Sequence, residues 1–389
     1  MFDDVKKDAA VLSARLSEWR QGFHRRPEIA HQEVETSAAL KAFFEQLGLP
    51  VRAFAGTGLR ADLEGLPGGR TVALRADMDA LPLQEEGDKP YFSELPNACH
   101  ACGHDGHMAA LMGAAEILAA RKSSFRGRVV FLGQPAEELP PGGAAPMIAA
   151  GALDGVDAIF GLHLWQSLPT GKIGIVKGPI MAQSDNFRIT VTGRGGHGSM
   201  PQATADPIYA AGQIIVALQS VVSRNVDPLK PAVLSFGTVH GGTVYNIIPN
   251  EVRLTGTVRT FEPAVQSLMK KRLTEIAGST GRALGVDAAV EYEDGYPPLI
   301  NHADSVDFVL RVVDELWGPD ARVPFAPVMG GEDFAYYLQK VPGAFIFLGA
   351  GDGRPHPHHH PGFDIDERAL VQAASLLASL ALGFLDEKR

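Results

Sequence analysis

Cysteine, histidine and glutamate recur along this chain in groupings suited to holding divalent metal ions. Cys102 and His104 are one residue apart and Glu137 and Glu138 are adjacent. His163 stands by itself, while His356, His358, His359 and His360 crowd one late segment. Thiolate, imidazole and carboxylate are the groups that bind zinc and related divalent cations. A Cys-x-His spacing puts two such groups on one tight loop. Two adjacent carboxylates repel unless a cation neutralises one of them. At a strand end they point in different directions, so one can ligate metal while its neighbour faces substrate as a general base. Each piece alone has a plainer reading: a chance Cys-x-His, two solvated glutamates, a polar histidine loop, and a His107 packed on its helix.

What gives these residues weight is where the surrounding elements put them. Apolar spacing over 4–47 predicts two helices broken near Pro27. Short strand-like runs follow at 59–63 and 71–75, the second leading into Asp77-Met78-Asp79. A helix is expected from about Asp105 to Ala120, with Asp105 as a candidate cap. Buried strands are expected at 128–132, ahead of Glu137-Glu138, at 158–162, ending at His163, and at 344–348, ahead of the histidine-rich loop. Strands alternating with helices indicate an α/β sheet. In such sheets ligands bind at the C-terminal ends of the strands, where Asp77, Asp79, Glu137, Glu138, His163 and the late histidines fall, while Cys102 and His104 lie just before a helix N-terminus.

Between 184 and 293 the rhythm changes to β-α-β-β-α-β. Strands are expected at 187–192, 233–239, 252–257 and 287–292, and helices at 207–222 and 265–284. That is the ferredoxin-like arrangement. Because the α/β pattern resumes after Pro297, the segment reads as an insertion. Three stretches result: 1–183 and 294–389 as the two parts of a mixed-sheet, metallopeptidase-like catalytic domain, and 184–293 as the inserted domain.

Bulk properties narrow the function class. The 389 residues exceed one ordinary domain, and 45% hydrophobic content supports a sizeable core. A formal net charge of -10 argues against nucleic acid, which needs a basic face. No secretory signal is expected, and the apolar stretch 369–385 reads as a core helix rather than a membrane span. Two cysteines exclude a disulfide framework, and a thiol used as a ligand favours a reducing cytoplasm.

The motifs together resemble one family. ALRADMDALP at 73–82, HACGHDGHMAAL at 100–111, GQPAEE at 133–138, GLHLW at 161–165, GRGGHGSMP at 193–201, NIIP at 246–249, GTVRT at 256–260, GGEDFA at 330–335 and HHPGFDIDE at 359–367 occur in order along nearly the whole chain. They are similar to the hippurate hydrolase and indole-acetyl-amino-acid hydrolase branch of the aminoacylase and carboxypeptidase G superfamily. The resemblance implies two divalent metals (zinc, manganese, cobalt or nickel) held by Cys102, His104, Glu138, His163 and His359. It implies Glu137 as general base and His197 as a polariser of the scissile carbonyl, usually from the partner subunit. Asn246 and Arg259 match positions that contact substrate, although a plain salt bridge would also account for Arg259. The inserted domain would be a lid and dimerisation module in a homodimer or higher homo-oligomer. Two departures stand out. Leu139-Pro140-Pro141 follow PAEE where the family runs in glycine, and Cys99 creates a Cys99-x-x-Cys102 pair able to oxidise when metal leaves. Core packing is the alternative fate of Cys99.

The activity so implied is hydrolysis of the amide bond of N-acyl amino acids to a carboxylic acid and a free amino acid. A dipeptidase or carboxypeptidase on the same two-metal site is the near alternative. A non-catalytic metal- or peptide-binding protein is the distant one, and it would have no use for Glu137.

Overall fold

The computed structural model describes residues 2–351, 353–354 and 356–386. Three helices open the chain, α1 (Phe2–Val11), α2 (Ser13–Arg25) and α3 (Val34–Gln46), followed by strands β1 (Val51–Phe54), β2 (Gly58–Glu64) and β3 (Leu66–Asp77). Then come α4 (His104–Ala119), β4 (Arg126–Gln134), α5 (Ala144–Ala149), β5 (Ala158–Pro169), β6 (Ile173–Gly174) and β7 (Gly178–Met181). The next group is β8 (Gln183–Thr192), β9 (Gly196–His197), α6 (Pro207–Asn225), β10 (Ala232–Gly241), β11 (Ile247–Ile248), β12 (Glu251–Thr260), α7 (Pro263–Ala283) and β13 (Asp287–Tyr296). The chain closes with β14 (Leu299–Asn301), α8 (Ala303–Trp317), α9 (Ala335–Leu338), β15 (Gly343–Gly351) and α10 (Arg368–Asp386). The opening helical segment differs from expectation in being broken at Leu12 as well as after Arg25.

The chain divides into two compact units, the smaller made of Met181–Leu299 and Pro327–Glu332, the larger of the remainder. The larger unit is built on a seven-stranded mixed sheet in the order β1-β2-β4-β3-β5-β15-β6. Its centre is parallel, with β3 pairing β4 and β5, and β5 pairing β15. Parallel strands covered on both faces read as continuous apolar runs. Val129, Val130, Phe131 and Leu132 of β4 are accordingly all buried. The parallel pairing brings the C-terminal ends of β3, β4, β5 and β15 to one edge. Helix α10 is long and apolar enough to cross a membrane. Here it packs on α4, α1 and β3, with most of its residues in the core.

The smaller unit is a four-stranded antiparallel sheet in the order β10-β12-β8-β13, with α6 and α7 packed against it over a separate apolar core. Counting only those four strands along the chain, the order is 2-3-1-4, the ferredoxin-like topology expected from the sequence. Helix α6 starts where sequence chemistry dictates. The Asp206 side chain accepts from the backbone N–H groups of Ile208 and Tyr209, and Pro207 fills the first turn.

A candidate two-metal centre

Each side chain of the pocket is placed by a backbone feature of its own. Cys102 sits in the turn before α4, whose N-cap Gly103 has φ 93°, a left-handed conformation that suits glycine. His104 begins the helix. Its Nδ1 is 2.8 Å from the Asp79 carbonyl oxygen, so Nδ1–H donates there and Nε2 is left facing the pocket. Glu137 and Glu138 lie just beyond β4. Their backbone N–H groups donate to the two carboxylate oxygens of Asp79, at 3.0 and 2.9 Å. Strand β5 runs on to Pro169, so His163 lies within it rather than at its end. His163 Nδ1 is 3.0 Å from the Leu164 carbonyl oxygen, which turns Nε2 to within 3.4 Å of Cys102 Sγ. His359 has φ 66°, and its N–H donates to the Ala101 carbonyl, tying the late loop to the Cys102 turn.

The six side chains converge. Ligand atoms of Cys102, His104 and His163 lie within 4.8 Å of one another, as do those of Cys102, Glu138 and His359, and those of His104, Glu137 and Glu138. His359 Nε2 is 3.2 Å from Glu138 Oε1. His104 Nε2 is 3.9 Å from Glu137 Oε2 and 4.0 Å from Glu138 Oε1. These overlapping groups, sharing Cys102, His104 and Glu138, are suited to a dinuclear site. His359 forms the rim, its side chain 55% exposed, while the others are mostly buried. The neighbouring histidines are engaged elsewhere. His358 reaches the Leu164 carbonyl and stacks on Trp165, and His360 Nδ1 accepts from the Gly362 N–H.

Electrostatics show what the pocket lacks. Burial lowers the proton affinity of His104, but Asp77, Asp79 and Glu138 together push its pKa up to about 10. Burial, then Glu138, Glu137 and Asp77, push the Cys102 thiol well above its ordinary value. The acids thus outweigh the cations the chain supplies. Among the described residues His104 Nε2, fully buried, has no hydrogen-bond partner. A buried polar atom left without a partner costs about 1–3 kcal/mol, and a divalent cation taking the place of its proton would answer the surrounding acids. His163 is held well below its ordinary value by burial, His107 and His358, which keeps it the neutral imidazole, the form able to ligate a metal.

Asp77, Asp79 and His107 complete the arrangement. His107 accepts the Leu164 N–H at Nε2 (2.9 Å), so its Nδ1–H donates to Asp77 Oδ1 (2.6 Å), and Arg75 donates to Asp77 Oδ2 (2.6 Å). Sequence reasoning put Asp77 and Asp79 at the sheet edge without giving them a role. The signal was there, since two aspartates directly after a buried strand have to be paired with something. Asp105 departs from its expected role. The helix cap is Gly103, and the Asp105 carboxylate is taken by Arg20 (2.9 Å), His24 (2.7 Å) and the Gly106 N–H (2.9 Å). Cys99 is a fully buried member of the hydrophobic core, its thiol pushed up to about 12 chiefly by burial. A neutral core thiol is a poor nucleophile, which favours packing over disulfide formation.

The remaining three candidates lie in the smaller unit. His197, on β9, is exposed, and its Nδ1 faces the Ser199 N–H (3.1 Å) and Oγ (2.8 Å), so the ring proton is on Nε2. Asn246 is exposed next to β11, and its carbonyl accepts from the Gly198 N–H at 2.8 Å, beside His197. Arg259 is half-buried on β12, one terminal nitrogen spent on Thr257 Oγ1 and the Asp185 and Val258 carbonyls.

The sequence model of Peptidase family M20/M25/M40 matches residues 73–383, which contain every candidate metal ligand, Glu137, His197, Asn246 and Arg259. The chain belongs to that family. It is 41% identical to N-acetyl-L-cysteine deacetylase of Bacillus subtilis (strain 168) over 386 residues, covering 97% of this chain and 90% of that protein. It is 38% identical to thermostable carboxypeptidase 2 of Saccharolobus solfataricus over 391 residues, covering 99% of each. Among solved structures, the Bacillus subtilis YXEP protein, described as a dinuclear metal-binding peptidase of the M20 family, superposes with a TM-score of 0.84. It has 35% identity and covers 97% of this chain and 99% of that one. Family membership and the clustered ligands make this M20 chain a metal-dependent enzyme that hydrolyses amide bonds.

Proposed function

We propose that the enzyme cleaves N-acyl amino acids, releasing a carboxylic acid and a free amino acid, in the manner of the hippurate and indole-acetyl-amino-acid hydrolases. The observation that carries this reading is Glu137. It is a buried carboxylate beside Glu138 and His104, on a chain related along almost its full length to an N-acetyl-L-cysteine deacetylase. Cys102, His104, Glu138, His163 and His359 would hold two divalent ions of zinc, manganese, cobalt or nickel. When bound, such ions acidify water and polarise an amide carbonyl. Glu137 accepts the proton of the attacking water and delivers it to the leaving nitrogen. Asp79 keeps His104 in the tautomer that offers Nε2 and fixes the backbone under both glutamates. His197, oriented by Ser199, presents Nε2–H to the carbonyl oxygen as it gains charge. Asn246 and Arg259 contact the substrate, Arg259 pairing with its free carboxylate.

A homodimer joined through the inserted domain belongs to the same proposal. Ile208, Tyr209, Val216, Tyr245 and Ile247 of the smaller unit are exposed, and β10 ends its sheet as an edge strand. Exposed apolar side chains beside an open strand edge favour pairing with another chain. The kinship with a carboxypeptidase supports a second reading, cleavage of peptides. Metal-loaded enzyme assayed on N-acetyl and N-benzoyl amino acids and on dipeptides with a free amine separates the two. Turnover of the acylated substrates with kcat/KM at least about tenfold higher is the expected result. A preference for dipeptides would replace the acylase reading with the peptidase one.

A further inference from the structure

The loop that carries Glu137 and Glu138 runs from the last residue of β4, Gln134, to the first of α5, Ala144. Both ends are bound by one side chain. The Gln134 Nε2 donates to the two carboxylate oxygens of Asp333, at 2.8 Å each, and the Ala144 N–H donates to Asp333 Oδ2 at 3.0 Å. Arg75 braces the junction, giving one N–H to Asp333 Oδ1 (3.0 Å) and another to Gln134 Oε1 (2.8 Å). Asp333 and Gln134 are fully buried. The two ends also touch through backbone: a Cβ built on Gly143 would lie 2.0 Å from the Pro135 carbonyl oxygen, so only glycine allows that approach. The middle of the loop is held separately, Ala136 N–H by Glu33 and the two glutamate N–H groups by Asp79. Its tip, Leu139, is half exposed. This is an Ω-shaped loop with a closed neck.

We infer that Asp333 is a positioning residue, a single carboxylate that closes the neck of the loop and thereby sets where Glu137 stands relative to Glu138. A carboxylate is the side chain for the task because the three groups that bond to it all donate. Gln134, Ala144 and Arg75 bring N–H groups to two oxygens, and a carboxylate accepts at both. An amide has one accepting oxygen and turns an N–H toward the remaining donors. With the neck open, Asp79 and Glu33 still grip the middle, so the loop persists while the placement of the base loosens. Misplacement of a catalytic group by a fraction of an ångström lowers turnover without a matching loss of substrate binding.

This inference rests on Glu137 as the base only for its kinetic consequence, and the test separates the two. Amide hydrogen exchange is measured on metal-loaded wild type, Asp333→Asn, and the swap Gln134→Glu/Asp333→Asn. The swap restores one acid and one amide and keeps the charge. In Asp333→Asn, exchange at residues 136–144 is expected to accelerate about tenfold or more while α10 stays protected. With bound metal at the wild-type level, kcat should fall about 10²-fold with KM within about threefold. The swap should recover both the protection and most of kcat. If Asp333→Asn does not fold, Gln134→Ala opens one end only, and exchange should rise at 136–138 with the Ala144 N–H still protected. Unchanged exchange in the loop, or a loss that the swap does not recover, would overturn the clamp whether or not the enzyme hydrolyses N-acyl amino acids. Loop exchange that rises with kcat unchanged would overturn the positioning role.

Discussion

Two buried groups of cysteine, histidine and glutamate lie in the larger unit, built from the same side-chain types and differing in charge balance. In one, Cys102, His104, Glu138, His163 and His359 surround an excess of acid, and among the described residues His104 Nε2 has no hydrogen-bond partner. In the other, His24, Glu85 and Cys99 also bring ligand atoms within 4.8 Å of one another. There every polar group of His24 and Glu85 is answered from within the chain. His24 meets Glu85 at 2.9 Å and Asp105 at 2.7 Å, and Lys89 Nζ reaches Glu85 at 2.6 Å and the Phe363 carbonyl at 2.5 Å. Arg20 balances Asp105 and Asp364. Burial alone would raise Glu85, yet His24, Lys89 and the Ser93 N–H bring it down to about 2. Residue types and spacing therefore do not make a metal site. An unmet demand for positive charge marks the first group as the candidate, and where a lysine has met that demand the same residue types form an ionic network.

Substitutions can sharpen that contrast. The largest effect is expected inside the metal pocket. Glu137→Gln should lower kcat by about 10²–10⁴-fold with bound metal near the wild-type level, while Glu138→Gln should lose metal. Metal analysis alongside single-turnover kinetics checks both, and metal loss in Glu137→Gln would make it a ligand instead of the base. The next effect lies in the balanced group. Lys89→Met leaves Glu85 buried without its ammonium, and breaking such a pair costs about 3–5 kcal/mol. Denaturant unfolding should register that loss with metal stoichiometry unchanged. A variant as stable as wild type would mean that Lys89 is not what balances the group.

Much of this contrast was legible in the sequence on one side and hidden on the other. The pocket could be read because its residues follow apolar runs, and parallel strands must deliver their C-terminal ends to one edge. The ferredoxin-like insertion was legible for a similar reason, its period-two and helical runs alternating over long segments. Asp105 was misread as a cap because its partners, Arg20 and His24, lie far away in sequence and only packing brings them near. Cys99-x-x-Cys102 suggested a redox pair, but spacing does not show that the two thiols have different surroundings. Cys99 pairs through its backbone with Leu81, while three residues later Cys102 faces His163. Asp79 and Asp333 escaped assignment because they act on backbone N–H groups and on Gln134, which leave no pattern of their own.

Cys102 belongs to a group that calls for an external cation, and Cys99 to one balanced from within the chain. Purified wild type, Cys102→Ala and Cys99→Ala, each stripped, reloaded and dialysed, can be compared by elemental analysis of bound divalent metal per chain. Two ions are expected in wild type and in Cys99→Ala, with only a small change in stability for the latter, and at least one ion should be lost from Cys102→Ala. Two ions retained by Cys102→Ala, or an ion lost from Cys99→Ala, would contradict that assignment.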